Sequence, residues 1–393
     1  MPHKAFLLAS LSGRVLAKAA ARASRPAVGV DAFADRDTCG LALEWARAPL
    51  GHDWNVDAAA MQMAADGICP NEYCLGLVYG SGFEARPELL RTLARTRPLL
   101  GNTPEVLEAV ATPTGFSALL HRLSIPHPET TLSRPAHPDG WLRKRAGACG
   151  GIHVQLAGET EGNDAGHYFQ RQVIGQEWSL LFLANGRDIC QIGFNRPLQP
   201  PPEAPGPWAY SGAVRQAHGP EGVAEAVLEA AELLTQHLGL KGLNGLDFMV
   251  TEQGWTLLEL NPRPTATVEL WDTAPFPPLF DLHVQACNGR LPVHLPRPLE
   301  STAVAVVYAP QMLMMHAAFP WPTWCADLPR IGQAIASGNP ICTVHAEGEN
   351  DATAEYAALS RRTEILHRLT LFQPMDKNDA LIRAEGAQLI TSP

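Results

Sequence analysis

The 393-residue sequence has no apolar run of the roughly 18 residues that a membrane-crossing helix needs, so a helical membrane protein is excluded. It is short of basic side chains: 30 Lys and Arg stand against 40 Asp and Glu, a formal charge of −10. No broad positive surface awaits a nucleic-acid backbone, and any phosphate must be held at a local site working against the overall field. Paired cysteines are missing too. Cys39, Cys69, Cys74, Cys149, Cys190, Cys287, Cys325 and Cys342 are scattered without a CxxC pair or a zinc spacing, so reduced, mostly buried thiols are expected. The start MPHKAFLLASLSGRVLAKAA looks superficially like an export signal, but its apolar run from Ala5 to Leu11 is short and Arg14 interrupts it, which makes a cytoplasmic protein the expectation. What is abundant is glycine and proline, 33 and 34 residues, a share below that of disordered chains. A globular chain of several domains with many sharp turns follows.

The N-terminal third alternates strand-like and helix-like stretches. Ala5–Ser10 reads as a buried strand, an alanine-rich helix follows Ser12 and Gly13, and Ala27–Asp31 closes a second strand. Cys74–Gly82 gives a third strand, Pro87 opens a helix, and Pro98–Asn102 is a short fourth strand. Such alternation implies a parallel sheet, whose ligands gather at the carboxyl ends of its strands. Leu11-Ser12-Gly13-Arg14 and Tyr79-Gly80-Ser81-Gly82-Phe83-Glu84 stand at such ends, and read equally as tight turns or as ligand contacts. Pro104 to Leu123 has a helical pattern, and the proline-rich stretch after it suits a connection between domains. Further on, a helix fits Glu221–Leu238, stopped by Gly239 or Gly242, and the tail closes with a strand, a Trp- and Pro-rich loop and a helix.

The most informative stretch is GLDFMVTEQGWTLLELNPRP, Gly245 to Pro264. Strand composition on both sides of Gly254 predicts a β-hairpin. With a three-residue loop Glu252-Gln253-Gly254, Asp247 lies opposite Glu259, and Asn261 projects from the same face. Phe248, Val250, Leu258 and Leu260 then fall on the apolar face. Facing carboxylates repel unless a cation lies between them. Asp, Glu and Asn together suit magnesium, which takes few protein oxygens and fills its shell from substrate phosphates. The plainer reading is a solvated face with two incidental acids. Against it stands Asn261-Pro262-Arg263-Pro264, which ends the strand rigidly and sets beside the acids an arginine able to neutralise a transferred phosphoryl group.

Two further stretches add to this. Trp141-Leu142-Arg143-Lys144 runs into the glycine-rich loop Ala146–Gly151, and a lysine at a strand end followed by mobile amides can grip phosphates, although neither standard glycine fingerprint is present. In Gln170–Glu177 a strand end can offer backbone groups to an adenine and Glu177 can bond a ribose; alone, it reads as an ordinary strand and turn.

Lysine with glycine loop, hinge with glutamate, then Asp and Glu-x-Asn-Pro-Arg, in this order, resemble the ATP-grasp superfamily over about Pro104 to Glu300. The resemblance implies an α/β fold: an α+β ATP-grasp module over 104–300 with the nucleotide between two subdomains, preceded by a small parallel-sheet α/β domain over 1–103 and followed by an extension, 301–393, packed on the module. It implies that Lys144 contacts nucleotide phosphates, that Gly150 and Gly151 lie in the flap above them, that Gln170, Arg171 and Val173 line the adenine hinge, and that Glu177 holds the ribose. Asp247, Glu259 and Asn261 would bind two magnesium ions, with manganese as an alternative, and Arg263 would stabilise an acyl phosphate. One departure is that many relatives carry a further lysine where this chain reads Glu108-Ala109-Val110-Ala111-Thr112-Pro113; Arg143, Arg196 and Arg215 are the candidate substitutes.

At a finer level LSGR, GLVYGSGFE, PLLGN, LSIPHPET and PICTVHAEG are similar to ATP-grasp proteins of the tetrahydromethanopterin- and methanofuran-linked one-carbon pathway of methylotrophic bacteria, akin to tyramine–glutamate ligase. This implies an ADP-producing ligase that joins glutamate to a tyrosine or tyramine group through an acyl phosphate. Two alternatives stay open: a ligase with another amino-acid acceptor, and a nucleotide-binding protein without catalysis. The expected partners are a small carboxylate and a small amine, with no nucleic acid and no membrane; self-association stays open. His153, His167 and His218 tempt a general-base role but read as ordinary hydrogen-bonded side chains.

Overall fold

The computed structural model describes residues 4–50, 56–160, 162–298, 300–316 and 319–372; the parts of the expectations before and beyond these lie outside the described residues. Strands β1 (Ala5–Ala9), β2 (Ala27–Asp31), β3 (Glu44–Arg47) and β4 (Cys74–Tyr79) form a parallel sheet in the order β3-β2-β1-β4. β1 is apolar throughout because both its faces are covered. Leu7 packs with Val30 and Leu77 on one side, and Leu8 with Leu16 and Val78 on the other. Helices α1 (Arg14–Arg22), α2 (Arg36–Leu41), α3 (Ala58–Ile68) and α4 (Pro87–Ala94) surround it. The fourth strand is Glu44–Arg47, where Pro98–Asn102 was expected. EWAR is an edge strand without a fully buried side chain and so carries no apolar signal. Pro98–Asn102 makes only an isolated bridge, Leu99 to Leu77.

Helices α5 (Pro104–Ala111) and α6 (Pro113–Arg122) lead to a small antiparallel sheet of β5 (Thr130–Thr131), β6 (Trp141–Arg145), β7 (Gln155–Leu156) and β8 (His167–Arg171), in the order β5-β8-β6-β7. Its ladder pairs Lys144 with Tyr168 and Leu142 with Gln170, so these four share one face; Trp141, Arg143, Phe169 and Arg171 share the other.

The chain then builds β9 (Gln176–Asn185), β10 (Ile189–Pro197), β11 (Gly212–Arg215), α7 (Ala224–Leu238), β12 (Lys241–Thr251), β13 (Gly254–Asn261), α8 (Val268–Trp271), α9 (Leu279–Cys287) and β14 (Ser301–Tyr308). After a short ladder of β15 (Leu313–Met314) with β17 (Ala334–Ile335) come β16 (Cys325–Ala326), β18 (Pro340–Gly348) and α10 (Asp351–Phe372). One eight-stranded sheet, β13-β12-β9-β10-β11-β14-β18-β16, joins these strands, so the chain after 300 continues the sheet itself. Val227, Ala230, Ala231 and Leu234 recur at helical spacing and seat α7 against Leu180, Phe182, Leu246 and Phe248. Gly239 ends α7 with φ +67°, as expected of the residue that stops it. The opposite face is covered by α8 and α9 around Leu181, Leu183 and Leu243, and beyond them it turns polar.

Candidate active site

The polar end of that face is built by the β12–β13 hairpin. Thr251 pairs with Gly254, so the turn is the two-residue Glu252-Gln253 and not the three-residue loop expected. A bulge at Leu258 then shifts the ladder by one residue, so that Asp247 does face Glu259. The bulge also corrects the apolar face: Leu257, not Leu258, packs with Phe248 and Leu260. Asp247 is half-buried, and Glu259 is exposed to the cleft. Burial and the nearby Glu177 push Asp247 up to about 7, against Asn261, Arg263 and Lys144. Burial and Asp247 likewise push Glu259 up to about 7, against Lys144 and Arg263.

Asn261 Nδ2 donates to Asp247 Oδ2 at 2.7 Å, and its Oδ1 accepts from Arg263 Nη2 at 3.0 Å. Arg263 is buried and donates through Nε to Glu84, whose Oε2 accepts the Gly82 N–H at 2.8 Å. The parallel sheet thus braces the strand end. Tyr79 Oη lies 3.0 Å from Pro262 O, and Asn102 Nδ2 donates to that oxygen at 2.9 Å.

The second wall is the face of the small sheet that carries Lys144. Lys144 Nζ donates to Gln170 Oε1 at 2.6 Å; burial lowers its pKa, and Glu259, Glu177 and Asp247 oppose that. Glu177 lies across the ladder from Met249, and Asp247 from Ser179, so Glu177, Met249 and Asp247 share the sheet face that meets this wall. Arg171 is not brought in by its side chain: it lies over the Trp141 ring, 5.6 Å from the centroid, and its N–H donates to Glu129 O. Val173 sits in the link between β8 and β9 that joins the two walls. Replacing Lys144 by Met is expected to weaken ATP binding by about ten- to a hundredfold, the loss of one charge-assisted contact, in calorimetric titration of a still-folded chain.

The loop at Gly147–Gly151 lies beside these residues, with Cys149 in electrostatic reach of Glu84, Arg263 and Glu259. Gly150 and Gly151 adopt φ +78° and +77°, and a Cβ on Gly151 would stand 1.7 Å from Trp208 O. Only glycine permits this approach. The Tyr210 N–H donates to Gly150 O at 3.0 Å. Burial, with Glu84 beside it, pushes the Cys149 thiol up to about 12, while Arg263 opposes.

Sequence reasoning missed four members of this site. Glu84 lay in a stretch singled out as a strand end; Met249 follows Asp247 by the strand repeat; Tyr168 pairs with Lys144; Cys149 sits in the glycine loop. None of the three candidate substitutes for the absent lysine is held in the cleft. Arg143 bonds Asp164, Arg196 pairs with Glu355, and Arg215 donates to the carbonyls of Leu270 and Glu300. Of the histidines set aside, burial and Lys144 hold His153 neutral, down to about 4.

Among the described residues, no three His, Cys, Asp or Glu side chains gather as a metal-binding group. The donors are two carboxylates and an amide whose oxygen already accepts from Arg263. An anionic pair whose proton affinity is raised to near neutrality fits a divalent cation between its members, so the carboxylates carry that fit.

Residues 115–267 match the family model of the ATP-grasp domain. The chain carries an ATP-grasp domain. Lys144, Gly150, Gly151, Gln170, Glu177, Asp247, Glu259, Asn261 and Arg263 fall inside these residues, and Glu84 reaches the ATP-grasp domain from outside. Solved structures extend the likeness of fold to most of the chain. Biotin carboxylase from Campylobacter jejuni shares 11% identity at a TM-score of 0.66, over 88% of each chain. N5-carboxyaminoimidazole ribonucleotide synthetase from Thermotoga maritima shares 14% at 0.64, over 92% of this chain and 98% of its own. The biotin carboxylase domain dimer of Hydrogenobacter thermophilus 2-oxoglutarate carboxylase, solved with MgADP and bicarbonate, shares 12% at 0.65, over 90% and 88%. No curated protein sequence matches this chain.

Proposed function

We propose that the chain is an ATP-dependent carboxylate–amine ligase. The observation that carries this reading is the cleft itself: Lys144 on one wall faces Asp247 and Glu259 on the other, with Arg263 at the end of their hairpin. A carboxylate oxygen attacks the γ-phosphorus and ADP leaves; an amine nitrogen then attacks the acyl carbon, the carbon–oxygen bond to phosphate breaks, and the amine proton passes to solvent. No side chain need act as nucleophile, because phosphoryl transfer is served by charge and position. Lys144 meets the phosphates under the flap of Gly150 and Gly151. Leu142 and Met249 offer apolar surface to the base, Gln170 and the backbone of Arg171 and Val173 line its edge, and Glu177 takes the ribose. Arg263 steadies the group in transfer. Asp247 and Glu259, with Asn261 beside them, are the residues that would hold magnesium as two ions, which when bound supplies positive charge against the triphosphate.

The substrates proposed are glutamate and a tyrosine or tyramine group, joined as an early bond of a methanofuran-type cofactor. Likeness of the segments LSGR, GLVYGSGFE and PLLGN supports this choice, and the last two brace the site through Glu84 and Asn102. Purified chain with ATP, magnesium, glutamate and tyramine or tyrosine should release ADP only when both substrates are present, and mass spectrometry should find their sum less one water. Product with a different amine would replace the acceptor. Absence of ADP with every carboxylate and amine tried would favour a nucleotide-binding protein without catalysis.

A further inference from the structure

Next to the nucleotide cleft lies a cluster of charged groups that the reading above does not use. Arg14, the first residue of α1 after the turn that follows β1, is 3% exposed. Its Nη2 donates to Glu269 Oε2 and its Nε to Asp327 Oδ1, both at 2.7 Å. Its Nη1 is buried and has no partner among the described residues. Tyr210 Oη is likewise buried without a partner, within electrostatic reach of Arg14, Glu269 and Asp247. Asp35, in the turn from β2 into α2, is 7% exposed, and its side chain makes no hydrogen bond or ion pair among the described residues. His345 Nε2 stands 3.2 Å from Glu269 Oε2 without hydrogen-bond geometry, and burial lowers its pKa while Glu269 opposes.

A buried polar atom left unpaired costs about 1–3 kcal/mol, and such atoms are few in native proteins. Here several collect where the carboxyl ends of two parallel strands meet the central sheet, the usual place for a ligand in such a sheet. Their chemistry has two signs. Arg14 Nη1 can only donate, and Tyr210 Oη has a proton to give; both await an acceptor. Asp35 has room for a further cation: burial, with Asp327, Asp31 and Asp37 around it, pushes its carboxyl up to about 8 even though Arg14 opposes this. At the edge of the cluster the side chains of Asp327 and His345 are 23% and 20% exposed.

We propose that this cluster is the amino-acid pocket of the enzyme, in which Arg14 Nη1 and Tyr210 Oη take the α-carboxylate of an acidic amino acid and Asp35 takes its α-ammonium. This rests on the ligase reading above. Tyr210 is within electrostatic reach of both Arg14 and Asp247, which links the pocket to the proposed metal-binding pair. An amino acid held by its head extends its side chain that way, and the side-chain carboxylate is the one presented to Arg263 for phosphorylation. The α-amine, held as an ammonium, is kept from attacking. The Tyr210 N–H bonds Gly150 O, which ties the pocket to the flap.

The test is calorimetric binding of L-glutamate and of glutarate, which lacks the ammonium, to the full chain without nucleotide, alongside binding of ATP. Tyr210→Phe removes only an oxygen that has no partner, so its folding is not at risk. It should weaken L-glutamate about ten- to a hundredfold and leave ATP unchanged. Asp35→Asn should weaken L-glutamate similarly while leaving glutarate unchanged. No binding of L-glutamate to the wild type, or unchanged binding in both variants, overturns the pocket, even if ADP release with glutamate upholds the ligase. The expected losses in a chain that never releases ADP would uphold the pocket and sink the ligase.

Discussion

Replacing Glu259 by Gln will cut amine-dependent ADP release by about a hundredfold or more while the chain stays folded. The magnitude follows from removing a direct metal donor, since loss of an outer-shell partner alone costs about 10- to 100-fold. Folding is spared because Glu259 confronts Asp247 across the ladder, and such like-charge pairs destabilise a sheet. The same pair sets a pH signature in metal-free protein. Burial and the facing carboxylates push both carboxyls up to about 7, above the roughly 4 of an unfolded chain, so the folded state binds their protons more tightly. Their contribution to stability is complete below about pH 4 and is lost as pH rises through about 7. Thermal melts from pH 5 to 8 should show this loss in the wild type, a smaller one in Glu259→Gln, and recovery at pH 8 on adding magnesium to the wild type alone. Wild-type turnover in the variant would refute the metal assignment.

Replacing Arg263 by Lys will lower kcat about a hundred- to a thousandfold and barely move the KM for ATP. One guanidinium bonds Glu84 through Nε, Asn261 through Nη2 and the Pro264 carbonyl through Nη1, the last at 3.4 Å. A lysine ammonium cannot reproduce that planar fork, so the charge survives while its position is lost. Loss of one positioned group acting in the transition state costs about this much in rate. Lysine is the informative choice, because an apolar residue would strand the Glu84 carboxylate, and breaking a buried pair costs about 3–5 kcal/mol. Initial rates against ATP at saturating carboxylate and amine separate the two constants; a rise in KM alone would make Arg263 a binding residue only.

Part of the placement of the cleft's residues was legible because it rests on short-range rules. Strand alternation places Lys144 and Gln170 on one face of the small sheet, whereas Asp247 meets Glu259 because the bulge at Leu258 makes up for a turn one residue shorter than expected. The turn was misread because a left-handed Gly254 suits either loop length, and only the long-range ladder, with its bulge at Leu258, decides between them. The edge strand Glu44–Arg47 left no apolar trace because neither of its faces is fully covered. The pairing of Glu84 with Arg263 joins residues 179 positions apart, a contact that no local pattern encodes. That the chain after 300 extends the central sheet was hidden for the same reason: β14 and β18 read as generic buried strands whose neighbours are set by topology.

The central claim is that an acyl phosphate forms from a substrate carboxylate. Glutamate carrying ¹⁸O in its side-chain carboxylate, incubated with the enzyme, ATP, magnesium and the amine, tests it directly. The account predicts ADP and inorganic phosphate bearing one ¹⁸O atom for each amide formed. Unlabelled phosphate, or AMP in place of ADP, would contradict it.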